Sequence, residues 1–237
     1  RAQGQGLAAV DLREAPHDAD KDSRLYDDPS QIAFHGGDPE ADLIEVQPRA
    51  GEHTLRTEDI VAKINELGDS LALVCFGGVN FYTGQAFDMA AITRAAHAVG
   101  ATAGFDLAHA AGNLHLKLHD WDVDFACWCS YKYLNSGPGS VAGAFVHQRH
   151  LGKQLPLFAG WWGHDKRERF KMERTFKPMP TAEAWQVSNA PVFSMAVHRV
   201  ALELFDRAGI AQLRAKSEQL TAYLAFIIVE VEKATGT

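Results

Sequence analysis

The chain has 237 residues, enough for one large α/β domain or two small ones. Its 46% hydrophobic and 22% charged residues are the balance of an ordinary globular protein with one continuous core. A formal net charge of −7 argues against a nucleic-acid-binding surface, which needs clustered Lys and Arg. The nearest cluster, Lys166 to Lys171, is interrupted by Glu168 and reads as a solvated face.

No apolar run approaches the ~20 residues of a membrane span, and residues 1–6 lack the pattern of a signal peptide. Cys75, Cys127 and Cys129 are odd in number and lie in apolar segments, so they read as buried thiols in a reducing compartment. Cys127 and Cys129 are too closely spaced for a standard zinc pair. The chain begins with Arg1 rather than Met and stops at Thr237 just beyond a helical pattern. The expectation is a cytoplasmic protein represented by a fragment.

Residues 1–30 carry little periodic signal, and Asp18, Asp20, Asp22, Asp27 and Asp28 repel one another, so loop or unsupported helix is expected there. Order starts at a short strand candidate, Ile44–Val46. A helix follows from Thr57, which can cap it, to Gly68, with Glu58 and Asp59 in its first turn. Leu71–Phe76 is a continuous apolar run closed by Gly77 and Gly78, the pattern of a strand buried on both faces. A second helix is expected from Asp88 to about Val99, stopped by Gly100, then strands at Ala103–Asp106, Asp124–Cys129 and Val141–Val146. A loop-rich stretch occupies 150–190, and helical patterns run from about Pro191 to Ala208 and from Ile210 to Lys233. Strands alternating with helices predict an α/β fold with a mostly parallel sheet.

In such sheets functional groups collect at the carboxyl ends of the strands. Asp106 ends one buried strand, and its alternative role is to cap the Leu107–Gly112 segment. Tyr131-Lys132 follows another strand. A desolvated lysine has the lowered pKa an imine-forming nucleophile needs, while a lysine snorkelling to solvent is the alternative. The glycines of Asn135–Gly143 allow close backbone approach but match neither a phosphate-binding GxxxxGK[ST] loop nor GxGxxG. An acid on one strand and a lysine 26 residues later can face a common cleft. That is the pair a pyridoxal phosphate (PLP) enzyme uses, the lysine binding the cofactor and the acid protonating its pyridine nitrogen.

The segments Phe81–Gln85, Gly104–Asn113, Leu118–Asn135, Gly160–His164 and Val187–Asn189 closely resemble the kynureninase family, with likeness running from about Tyr26 to the C-terminus. Related desulfurases usually present His before the lysine, where this chain has Tyr131.

The resemblance implies a fold-type-I, aspartate-aminotransferase-like PLP enzyme. Its large domain, a three-layer α/β/α arrangement, would be represented in part by residues 31–237, with the small C-terminal domain absent. It assigns Lys132 to covalent attachment of PLP, Asp106 to the pyridinium and His109 to a place beside the cofactor. Tyr131 would hydrogen-bond the phosphate and assist proton transfer. Trp161 and Asn189 would lie near phosphate and substrate, contributed by the neighbouring subunit of a homodimer. Interface packing and helix capping are the respective alternatives for these two. The implied reaction is hydrolysis of L-kynurenine, or 3-hydroxykynurenine, to anthranilate and L-alanine in tryptophan catabolism and NAD biosynthesis.

Three features depart from the family pattern: Arg24 stands at an Asp position, Gly77 stands where some members carry Ser, and the phosphate cup and carboxylate-binding Arg fall outside the chain. Another fold-type-I enzyme, a desulfurase or β-lyase, and a non-catalytic PLP-fold module are the competing readings.

Overall fold

The computed structural model describes residues 42–153, 155 and 157–236, together with the backbone of Ala9–Asp11. Among the described residues six strands form one sheet: β1 (Ala9–Asp11), β2 (Leu43–Glu45), β3 (Leu73–Gly77), β4 (Thr102–Asp106), β5 (Phe125–Trp128) and β6 (Gly143–Val146). Their order is β2-β1-β3-β4-β5-β6. Every pairing is parallel except β5 with β6, which is antiparallel. The expected α/β class with a mostly parallel sheet is therefore what the chain forms.

The described residues divide into two compact units. The first comprises the described residues of 9–109, 117–128 and 143–189; the second comprises 110–116, 129–142 and 190–236.

In the first unit, helices α1 (Thr57–Leu67) and α2 (Met89–Ala98) pack against one another, and α2 packs on β4. Ile60, Ile64 and Ile92 are completely buried, as are Val74 of β3 and Ala103 of β4. Removing that apolar area from water is the main favourable term in the fold. Thr57 is the first residue of α1 and does not cap it; Arg56 occupies the cap position without a side-chain hydrogen bond. Asp88 does cap α2, its Oδ1 accepting the Ala91 N–H at 2.9 Å. Gly100 ends that segment at φ 83°, a conformation costly for residues with a Cβ.

The strand Ala9–Asp11 is a correction to the expected loop or helix over residues 1–30. Three residues are too few to show a two-residue period, and the strand exists because β2 and β3 pair with it on either side. The Asp-rich stretch 18–28 and Arg24 lie outside the described residues.

The amino ends of β4 and β5 are locked by Asp124, which precedes β5 and is buried. Its Oδ2 accepts the Ala103 N–H and meets His97 Nε2, and its Oδ1 receives Arg149 Nε at 3.0 Å. Burial by itself would raise this carboxyl. Hydrogen bonds from Ala103, Arg149, His97 and His150 outweigh that effect and hold it well below the usual carboxylate range.

The second unit carries α3 (Val192–Ala208) and α4 (Ile210–Thr235), joined through Gly209 at φ 76°. Both present large exposed apolar side chains, including Phe193 (90% exposed) and Val192 (75%). No described helix is long and apolar enough to cross a membrane.

Candidate active site

Parallel pairing brings the carboxyl ends of β3, β4 and β5 to one edge of the sheet. Asp106 is the last residue of β4, in register with Gly77 of β3 and Cys127 of β5. It is exposed, while Ala103, Gly104 and Phe105 before it are buried. Its Oδ1 accepts the Ala108 N–H at 2.7 Å. Residues 107–112 contain turns and no helix, so Asp106 caps no helix; its side chain instead closes a local turn, which fixes the direction of the carboxylate. Its carbonyl accepts the Gly78 N–H at 2.7 Å, joining the loop after β3 to the end of β4.

That loop presents Phe81, 72% exposed, whose ring centroid lies 6.1 Å from that of His109. Two aromatic faces therefore stand side by side next to Asp106 in sequence and strand order. In the sequence Phe81 is marked only by the Phe81–Gln85 motif, because an isolated exposed Phe carries no periodic signal. The loop is held by Gln85, whose Oε1 accepts the Leu55 N–H at 2.9 Å and whose Nε2 donates to the Leu55 carbonyl. At Gly77 an added Cβ would meet only ordinary contact, 3.5 Å from the Val79 carbonyl oxygen, so a small side chain is sterically tolerated there.

Trp161 and Asn189 also belong to the first unit. Two glycines make close approaches around Trp161. A Cβ on Gly160 would collide with the Val187 backbone, and one on Gly163 would lie 2.6 Å from the Ala184 carbonyl oxygen. Trp161 is 45% exposed and meets Phe170 edge-on at 5.3 Å. Asn189 is exposed and does not cap α3, which starts at Val192 with Pro191 in the cap position.

The basic stretch 166–171 needs a correction. Lys166, Arg167 and Lys171 are exposed, but Arg169 is buried. Its Nη2 donates to the Trp162 and His164 carbonyls at 2.6 and 3.0 Å, and its guanidinium stacks 4.7 Å from the Trp162 ring. A planar, weakly hydrated cation suits that environment, so charge spacing alone misreads it. Cys127 is likewise exposed rather than buried, while Cys75 and Cys129 are half-buried; all three are thiols.

Tyr131 and Lys132 lie in the second unit, three and four residues beyond the end of β5. Tyr131 is 53% exposed, Lys132 is half-buried, and the Lys132 Nζ lies 6.0 Å from the Tyr131 ring centroid. Asn135 takes φ 56°, and its N–H donates to the Lys132 carbonyl at 3.0 Å, which bends the chain sharply after the lysine. Gly112 at φ 81° lies against this turn, where a Cβ would come 2.9 Å from the Tyr133 backbone. The structure thus groups Asp106, His109, Trp161 and Asn189 in one unit and Tyr131 with Lys132 in the other.

The family model for class-V aminotransferases matches residues 43–235, most of the chain. The chain belongs to the aminotransferase class-V family. Among curated members, it is 58% identical over 205 residues to a kynureninase of Flavobacterium psychrophilum, covering 86% of this chain and 48% of that one. It is 60% identical to a kynureninase of Myxococcus xanthus (84% and 47%) and 54% identical to one of Nematostella vectensis (87% and 45%). The chain spans about half the length of these class-V relatives.

Solved structures share the fold at low identity. A cysteine desulfurase of Thermococcus onnurineus matches with a TM-score of 0.66 at 17% identity, covering 96% of this chain and 52% of that one. The desulfurase CsdA of Escherichia coli matches at 0.65 and 18% identity (92% and 50%).

Proposed function

We propose that this chain is the cofactor-bearing part of a PLP-dependent hydrolase that converts L-kynurenine to anthranilate and L-alanine. The observation that carries this reading is the 52–60% identity to kynureninases of bacteria and an animal. The donor set fits the cofactor chemically: a carboxylate at the end of a central strand, an amine and a phenol in the turn after the next strand, and aromatic faces at His109 and Phe81. When bound, PLP supplies an electron sink for negative charge developing at the substrate Cα.

The roles of the side chains follow from their chemistry. The Lys132 amine would hold the cofactor covalently and would serve as the base for the substrate Cα proton. Asp106 would hold a proton on the pyridine nitrogen, because a carboxylate partner favours the charged form of a base. Its bond to Ala108 aims the carboxylate before substrate arrives. Tyr131 would donate to the cofactor phosphate and assist proton transfer, and His109 would help to hold the ring. Hydration of the substrate's γ-carbonyl followed by Cβ–Cγ cleavage then releases anthranilate. Each positioned proton transfer is worth typically ~10²–10⁴-fold.

Trp161 and Asn189 act near phosphate and substrate from the neighbouring subunit of a homodimer. Exposed Val192, Phe193, Val200 and Leu204 on α3 support association, since so much apolar surface is unusual on an isolated chain. The assignment of residues 31–237 to a partial large domain and a cytoplasmic location belong to the same proposal.

The deciding experiment supplies PLP and compares anthranilate fluorescence from kynurenine with sulfide release from cysteine. Anthranilate production abolished by Lys132→Ala, together with loss of the near-visible absorption band of the lysine-bound cofactor, is the expected result. Sulfide release alone would move the assignment to a desulfurase or β-lyase, and a protein that stays colourless with PLP is not catalytic in this way.

A further inference from the structure

We propose that His198 is a positioning residue that anchors, through Ser136, the turn presenting Tyr131 and Lys132; this rests on the function proposed above. The turn is closed upon itself. The Ser136 N–H donates to the Ser130 carbonyl at 3.1 Å, the Asn135 N–H to the Lys132 carbonyl at 3.0 Å, and Asn135 Nδ2 to the Tyr133 carbonyl at 3.0 Å. Ser130, fully buried, bonds Ser140 Oγ at 2.8 Å and the Val141 carbonyl. These bonds set the shape of the turn, and none of them connects it to a helix.

The connection to a helix is supplied by Ser136, itself 2% exposed, whose Oγ lies 2.7 Å from His198 Nδ1 on α3, 62 residues along the chain. The next residue, Gly137, takes φ 80°, and a Cβ there would lie 4.0 Å from Val197 Cγ1, so α3 passes directly alongside. Ser136 is four residues beyond Lys132 within the same hydrogen-bonded turn. A shift at Ser136 is therefore transmitted to the lysine rather than absorbed by slack chain.

The anchor holds in either protonation state of the imidazole. The Ser136 hydroxyl donates to Nδ1 when that atom has no proton. When Nδ1 carries one, Ser136 accepts it and turns its own O–H toward the Leu134 carbonyl, 3.4 Å away.

The test uses the PLP-loaded protein with His198→Ala, His198→Asn, Ser136→Ala and the Ser136→Ala/His198→Ala double variant. Three readouts are followed: the pH at which the near-visible band of the lysine-bound cofactor titrates, amide hydrogen exchange over residues 129–137, and kcat and KM for kynurenine. Losing the tie between the turn and α3 predicts a loss of roughly 5- to 100-fold in kcat for His198→Ala, with KM changed less than about twofold, a displaced band titration and faster exchange in the turn. Asn, whose amide can take the place of Nδ1, should restore kcat to within about threefold. The double variant should be no worse than the weaker single one, because the two side chains act as one unit.

Unchanged exchange and band titration in His198→Ala, losses that multiply in the double variant, or an Asn that restores nothing would overturn the proposal. Should His198→Ala fail to fold, His198→Asn and Ser136→Ala decide by the same readouts. A protein that carries the band but does not turn over kynurenine refutes the assigned reaction, while exchange and band titration still judge the anchor. A protein that takes up no PLP refutes both.

Discussion

The Asp124 carboxylate accepts the Ala103 N–H at 2.7 Å, tying the residue that leads into β5 to strand β4. The same group receives Arg149 and His150 from the turn that follows β6 and His97 from α2. Three strands and a helix are thus tied by one buried anion. Asp124→Ala is expected to cost about 1–3 kcal/mol, because the buried Ala103 N–H loses its acceptor while Arg149 keeps Asp122 as a partner. Asp124→Asn keeps an acceptor for Ala103 and should lose less. Denaturant midpoints for the two variants check both the size and the order.

The pH dependence of stability follows from the same group. A carboxyl held below its ordinary value of 3.8 binds protons more readily in the unfolded chain. Its stabilisation is complete above about pH 4 and is lost as pH falls through the folded value. Asp165 behaves alike: hydrogen bonds from the Arg167 side chain and N–H lower it to about 2. Acid unfolding followed by circular dichroism should begin below pH 4 and shift upward in Asp124→Asn, which lacks the larger of these contributions.

Gly112→Ala should disturb the lysine turn from a distance of twenty residues in sequence. The substitution adds a Cβ at φ 81° and places it 2.9 Å from the Tyr133 backbone, which has no flexible end to move aside. Backbone strain of about 1–3 kcal/mol is expected. Thermal melting reads that loss, and reduced uptake of PLP reads the displacement of Lys132.

Arg169→Lys is not expected to be conservative. The guanidinium donates to two carbonyls and stacks on Trp162, and an ammonium cannot reproduce both. A loss of about 1–3 kcal/mol is expected from carbonyls left without their donor. It would appear as local hydrogen exchange over residues 160–170 before any change in the sheet.

Asp106→Asn should leave the fold intact, since an amide oxygen can still accept the Ala108 N–H. On the role proposed for Asp106, it should lower kynurenine turnover by about 10²–10⁴-fold, because an amide cannot favour a protonated ring nitrogen as a carboxylate does. Turnover retained within tenfold would remove Asp106 from the proposed mechanism.

Much of this fold was legible in the residues. Leu71–Phe76 and Ala103–Asp106 are apolar runs of strand length, and Gly68, Asp88 and Gly100 mark helix ends through backbone conformation and capping that act within a few residues. Asp106 stands out because a charged residue closing a buried strand is locally anomalous, and Lys132 because it follows an apolar run, although β5 ends at Trp128, four residues before it. These signals are local, so the sequence carries them unaided.

Tertiary structure decided the rest. Ala9–Asp11 becomes a strand only because β2 and β3 flank it. Arg169 is buried only because the Trp162 and His164 carbonyls require a donor, and His198 meets Ser136 only because α3 runs past the turn. In each case the partners are distant in sequence, and the free energy that fixes the residue resides in a contact that no local pattern encodes.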